Sequence, residues 1–362
     1  MITLNPAIAK ISTKISASAP GRICLFGEHQ DYLGMSVIAA AISLRVTLEA
    51  KANEVGIFRI SLPDIGEIVT IDPKADIRYR HSRDYLASAV NVMKRDGITW
   101  PVGYDVFVHG EIPINSGASS SSALQIAWCS LLLAAAGDDR ASDPMIVAQY
   151  AHRSEVTEFN SPGGMMDHYT TAVGGIIHLD CNTTEVTPLP SWPSEFILVD
   201  SGIPKDTNGT LGATRALVEG LDVAFETLPL RLEDIPQSIC NALSPTQQPV
   251  FQANIRNREY THDAVELLRN THDHAGLGSL LNQHQHQLSK NLGVSLPEID
   301  NLISEGMQHG ALGGKINGSG CGGSFFLYCP GHSRELLDFY RAKGLRAWRI
   351  EVGDGLRIKT DS

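Results

Sequence analysis

Apolar and polar residues alternate along 43–50 and 58–62, a period of two that predicts strands with one buried face, and 104–108 and 175–179 also have β character. Segments 83–95, 118–136 and 144–158 instead return an apolar residue every three to four positions, the spacing of a helix stripe. The first half is therefore predicted to mix the two element types in an α/β or α+β arrangement. Residues 182–194, Asn-Thr-Thr-Glu-Val-Thr-Pro-Leu-Pro-Ser-Trp-Pro-Ser, interrupt both periodicities before a strand-like run at 195–200. That break places a domain junction there, with an N-terminal domain over 1–190 and a C-terminal domain over 191–362. The second half reads as helix-rich, with stripes at 213–227, 264–270, 277–292 and 296–307, a strand at 324–328 and a closing helix–strand pair. His262, His272, His274, His284 and His286 are expected on solvated helix faces, because neighbours two apart diverge around a helix and no thiol lies close.

Composition narrows the class. A chain of 362 residues with 43% hydrophobic content can bury a large core, and its length favours two domains. A net charge of −11 excludes an extended nucleic-acid or anionic-membrane surface, although ATP can still be held locally by helix ends, a few cations and a metal ion. The six cysteines lie far apart without a C-x-x-C pair, which predicts reduced thiols and a cytoplasmic location. The apolar runs at 37–42 and 131–136 are too short to span a bilayer, and no continuous apolar run follows Lys10 and Lys14, so neither a signal peptide nor a membrane helix is expected.

Four stretches carry candidate chemistry. Residues 117–127, Gly-Ala-Ser-Ser-Ser-Ser-Ala-Leu-Gln-Ile-Ala, run a glycine and four hydroxyls into an apolar helical pattern. The first turn of a helix offers amide N–H groups without intrahelical partners and the positive end of the dipole, so Gly117, Ser119, Ser120, Ser121 and Ser122 form a candidate phosphate cradle. A serine there either caps the helix or ligates a magnesium ion bridging phosphate oxygens. Residues 19–34 carry Arg22 on a strand-like run into a turn where Glu28, His29 and Asp31 fall within four positions. Groups so dense can hydrogen-bond several hydroxyls of one small polyol, or simply form a charged turn. Residues 155–168 end a helix in a Pro-Gly-Gly turn and deliver Asp167 between apolar neighbours, where it accepts a hydroxyl proton or caps the next segment. Residues 315–323, Lys-Ile-Asn-Gly-Ser-Gly-Cys-Gly-Gly, match G-x-G-x-x-G, but a strand-like run follows where a dinucleotide fingerprint needs a helix. A backbone loop closing on a ligand is expected instead.

In this order the stretches resemble the signature motifs of the GHMP kinase superfamily, the galactokinase, homoserine kinase, mevalonate kinase and phosphomevalonate kinase group, across about residues 19–325. Within it the chain looks most like the galactokinase branch, whose P-G-R-x-N-L-I-G-E-H-T-D-Y-N-G-G signature aligns without a gap with Pro20 to Met35 and whose G-I-M-D-Q aligns with Gly164 to His168. The resemblance implies an α+β two-domain fold, with a first domain similar to ribosomal protein S5 domain 2, a ferredoxin-like second domain and the active site between them. It implies an ATP- and magnesium-dependent sugar 1-kinase, galactose first, acting as monomer or homodimer on a small-molecule sugar. Asp167 and Arg22 would act at the hydroxyl being phosphorylated, Glu28, His29, Asp31 and the Gly164 backbone would hold sugar hydroxyls, and Ser121 with Glu155 would hold magnesium. Cys24, Gln30, Leu33 to Met35 and His168 depart from the pattern, and residues 201–207 lack the tyrosine that galactokinases pack on the sugar. The alternatives are another GHMP kinase, taking a different sugar or a mevalonate-like acceptor, and a non-catalytic sugar and ATP sensor on the same fold.

Overall fold

A computed structural model describes residues 12–114, 117–204 and 207–361. The first half forms β1 (Lys14–Phe26), β2 (Val37–Asn53), β3 (Phe58–Leu62), β4 (Glu67–Ile71), α1 (Tyr85–Arg95), β5 (Gly103–Gly110), α2 (Ser120–Ala135), α3 (Pro144–His152), α4 (Met166–Val173), β6 (Ile176–Asp180) and β7 (Glu185–Leu189). The second adds β8 (Phe196–Asp200), α5 (Thr207–Glu219), α6 (Gln237–Ala242), α7 (Gln247–Asn270), α8 (His274–His286), α9 (Pro297–Gln308), β9 (Gly313–Ile316), β10 (Ser324–Tyr328), α10 (Ser333–Ala342), β11 (Arg346–Ile350) and β12 (Arg357–Thr360).

Among the described residues the larger sheet has eight strands in the order β12-β1-β2-β5-β3-β4, with β6 and β7 continuing from β2. Among the described strands only β3 and β5 pair in parallel. The long β2 explains the layout: Val46 to Asn53 pair with β5, whereas Val37 to Ala40 pair with β6. Its first six residues are buried and apolar, and only beyond them does the pattern alternate. A strand covered on both faces loses its period of two. The smaller sheet runs β11-β8-β10-β9, so its strands in chain order stand fourth, first, third, second, the antiparallel order of a ferredoxin-like sheet. Its side chains divide the interior. Ile197, Val199, Phe325 and Leu327 enter one apolar core, whereas Phe196, Leu198, Phe326 and Tyr328 enter the other, which continues through α7 and α8 to β1 and β2.

The Pro-rich 182–194 stretch is not all linker: it contains β7, which pairs with β6 from Glu185 to Leu189 and ends just before the expected boundary at 190. The chain end returns to the larger sheet: β12 pairs with β1, Ile15 opposite Thr360 and Ser18 opposite Arg357, so 191–362 is not one separate body. Helix α7 also begins at Gln247, far before the expected 264, because Asn254, Asn257, Glu259 and Thr261 are buried and mask the stripe. His284 is another correction. It is fully buried with its ring stacked on Phe26, 5.8 Å between centroids, and burial lowers its pKa. No described helix is long and apolar enough to cross a membrane.

Candidate active site

A cavity of about 370 Å³ opens at the N-terminus of α2, lined by β1, the turn after it, the start of α4 and the loop between β9 and β10. Two register irregularities interrupt β1, between Pro20 and Arg22 and between Cys24 and Phe26, on either side of Arg22, whose side chain lines this space. Arg22 is held at both ends, its amide bonding the Ala118 carbonyl at 3.1 Å and its Nη1 the Gly117 carbonyl at 2.5 Å. Its Nε and Nη2 both reach Asp167 Oδ1 at 2.7 Å, a forked charge-assisted contact. Burial works against the charge on Arg22, yet Asp167 and Glu28 more than restore it, and its pKa is raised.

Ser119 differs from its expected place in the cradle. Its hydroxyl donates to Asp167 Oδ2 at 2.6 Å instead of capping the helix, and its backbone stands in the left-handed region at φ 61°. Non-glycine residues hold that conformation at a cost, and such outliers gather at functional sites. Helix α2 consequently starts without a side-chain cap, and Ser120, the exposed Ser121 and Ser122 of its first turn line the cavity. Burial alone would raise the Asp167 pKa; Arg22 and the Ser119 bond outweigh it, so the carboxylate stays below its ordinary range while 29% exposed.

Asp31 lies beside it and behaves oppositely. Burial first, and the Asp167 charge second, push Asp31 up to about 6, even though its Oδ2 accepts from the Met166 amide at 3.2 Å. Gly164 packs on this side chain so closely that an added Cβ would stand 2.1 Å from Oδ2. Two neighbouring carboxylates thus differ in proton affinity through their environments, the pattern that separates roles in a reaction site.

Glu28 and His29, expected to hold sugar hydroxyls, both have protein partners at their polar atoms. Glu28 is 2% exposed, and its Oε2 meets Lys315 Nζ at 2.5 Å while Oε1 accepts the Gly318 amide at 2.9 Å. His29 bonds the Ser319 carbonyl through Nε2 and the Tyr32 hydroxyl through Nδ1, both at 3.1 Å, and burial lowers its pKa. Both side chains line the cavity, but their polar atoms are engaged by the protein.

Glu155 and Ser121 line the same space. Glu155 Oε2 is joined to His168 Nε2 at 2.8 Å, which gives the departure at position 168 a structural partner. The loop 317–323 connects two strands, as the sequence indicated, and Gly320 is required there: at φ 77° its Cβ would lie 2.1 Å from the Val294 carbonyl. In the 201–207 segment, Lys205 and Asp206 lie outside the described residues, and Ser201 Oγ donates to the Gly323 carbonyl at 2.6 Å. Sequence reasoning missed Lys315, Asn317, whose Oδ1 accepts the Cys24 amide at 3.0 Å and whose Nδ2 reaches the Gly117 carbonyl at 3.0 Å, and an apolar wall of Val46, Leu62, Val108 and Ile112. Only the lysine and asparagine had a signal, their place just before the glycine run.

Comparison with known proteins agrees with this geometry. Residues 9–52 match the galactokinase galactose-binding signature, 84–175 the GHMP kinases N terminal domain and 264–345 the GHMP kinases C terminal family. The chain is similar to the mevalonate kinase of Methanothermobacter thermautotrophicus, 30% identical over 88% of this chain and 91% of that one. It is 27% identical to a mevalonate kinase from Thermococcus sibiricus, over 96% and 98%, and to a galactokinase from Haemophilus influenzae, over 88% and 85%. Among solved structures, Lactococcus lactis galactokinase complexed with galactose superposes with a TM-score of 0.79 at 20% identity, covering 95% of both chains. Methanococcus jannaschii mevalonate kinase follows at 0.73 and 18%, covering 94% and 98%.

Proposed function

We infer that this chain, which belongs to the GHMP kinase superfamily and is therefore a phosphotransferase acting on a hydroxyl group, transfers the γ-phosphoryl of magnesium ATP to the anomeric hydroxyl of a monosaccharide, galactose first. The observation that carries this reading is the ionised Asp167, forked by Arg22 and bonded by Ser119 at the mouth of an uncapped helix. The amides of that helix and Ser120 to Ser122 would hold phosphate oxygens, and the apolar wall opposite suits a nucleoside base. Ser121 and Glu155 are both hard oxygen donors on this cavity and would hold magnesium, which would supply charge neutralisation for the phosphates. Asp167 accepts a hydrogen bond from the acceptor hydroxyl. Being a weak base, it takes that proton late, as the oxygen–phosphorus bond forms, while Arg22 balances charge on the bridging and transferring oxygens.

Galactose is supported by the matched signature and by Asp31, a partly buried carboxylate lining the cavity and suited to accept from sugar hydroxyls. A mevalonate-like acceptor is the second reading, favoured by the curated relatives of that name. Against it, an acceptor carboxylate would approach Asp31 and Asp167, whereas the buried cations Arg22 and Lys315 are already paired. An ATP-consumption assay coupled to ADP release, run over monosaccharides, mevalonate and homoserine, should respond to a hexose; a response to mevalonate alone overturns the sugar reading.

Two further outcomes are expected. Ser121→Ala should raise the KM for magnesium ATP several-fold more than the KM for the acceptor, and an unchanged magnesium titration would remove the residue from the metal site. Asp31, raised to about 6, gains a proton as pH falls through that value and can no longer accept from a hydroxyl with both oxygens. The acceptor KM should therefore rise below pH 6 and level off above pH 7, a limb that Asp31→Asn abolishes. A KM flat from pH 5 to 8 in the parent enzyme contradicts this role.

A further inference from the structure

Lys315 is fully buried at the end of β9, a place where a lone ammonium is strongly disfavoured. It meets three oxygens: Glu28 Oε2 at 2.5 Å, the Cys24 carbonyl at 2.9 Å and the Ile316 carbonyl at 2.8 Å. Two of these, Glu28 and Cys24, belong to the strand and turn that carry the acceptor-side residues, nearly three hundred positions away in sequence. The same loop returns two more bonds to that turn, Gly318 N–H to Glu28 and the Ser319 carbonyl to His29. Among the described residues nothing comparable ties the Asp31 side chain to the loop; its Oδ2 accepts from the Met166 amide.

We propose that Lys315 is a specificity-determining positioning residue: by pairing with Glu28 it compensates that buried charge and withdraws the carboxylate from hydroxyl recognition, so that the acceptor is read from the 28–31 turn through Asp31. The inference rests on the proposed reading of the cavity as a polyol kinase site. It makes the glycine-rich loop part of acceptor selection as well as of the cavity wall. It also predicts a substrate class, neutral sugars discriminated at the hydroxyls that face Asp31 and tolerated when altered toward Glu28. A lysine of this kind acts through another residue, so its removal should change acceptor binding while leaving the donor side alone.

A double-mutant cycle on Lys315 and Glu28 tests this, because removing one partner of a buried pair strands the other charge, whereas replacing both by neutral residues of similar volume is tolerated. Lys315→Met and Glu28→Gln are each expected to raise the acceptor KM roughly tenfold or more, with the ATP KM and kcat within about threefold of the parent. The double variant Lys315→Met/Glu28→Gln should return the acceptor KM to within about threefold, and Lys315→Arg should retain it, since both preserve a compensated interior. If Glu28 itself reads a hydroxyl, the double variant stays at least as impaired as Glu28→Gln, with no rescue, which overturns the proposal. Should the single variants fail to fold, the double variant and Lys315→Arg still decide: parental acceptor KM in both supports the pairing role, and loss in the double variant refutes it. If the wild type phosphorylates no sugar at all, the functional reading fails first, a result distinct from turnover with no rescue.

Discussion

Asp167→Asn is expected to lower turnover by at least about a hundredfold, close to 2.7 kcal/mol of transition-state stabilisation, while ATP binding persists. The substitution keeps the shape of the side chain but removes the charge that Arg22 forks and turns a proton acceptor into a neutral amide. Ser119 would lose its ionised acceptor and Arg22 would be left buried without its counter-charge, so both flanks of the acceptor oxygen are affected together. Because the Asp167 pKa is already lowered, acidifying the parent enzyme to pH 5 should not mimic the variant. Measured kcat within threefold of the parent, on protein shown to bind ATP, would remove Asp167 from the chemistry.

Gly164→Ala should be nearly as damaging through a different parameter. The new methyl would stand 2.1 Å from Asp31 Oδ2 and 2.2 Å from its Cγ, so the Asp31 carboxylate must swing away from its bond to Met166. Losing a hydrogen bond between a charged acceptor and a substrate hydroxyl is worth about 1.5–3 kcal/mol, so the acceptor KM is expected to rise roughly ten- to a hundredfold, with the ATP KM little changed. Steady-state kinetics with each substrate varied in turn distinguish this from a general loss of folded enzyme. An acceptor KM at the parental value would show that Asp31 does not read the acceptor.

How much of this was legible in the chain depended on what each segment buries. Strands β3 and β10 match the residues expected at 58–62 and 324–328, because each is short and bounded by clear turns. Strand β2 was expected only at 43–50: residues Val37 to Ile42 are covered on both faces, and a uniformly apolar run carries no period. Strand β7 hid in a stretch with prolines at 188, 190 and 193, which read as a linker, and the return of β12 to β1 is a long-range pairing that no local pattern announces. At the site, the expected meeting of Arg22, Asp167 and the serine run is what the geometry shows, yet the division of labour within it was not readable. Ser119 turns toward the aspartate and leaves the helix end bare, and Glu28 faces a lysine. A lysine beside a glycine run reads as solvated until its burial is known, so the ion pair of Lys315 with Glu28 had no sequence signal beyond position.

The central claim is the transfer of phosphate to an anomeric oxygen, and phosphorus–proton correlation NMR of the product formed from ATP and galactose tests it directly. The account predicts one sugar phosphate whose phosphorus couples to the anomeric proton, formed by the wild type and absent with Asp167→Asn. A product phosphorylated at any other carbon, or no sugar phosphate from any hexose, would contradict it.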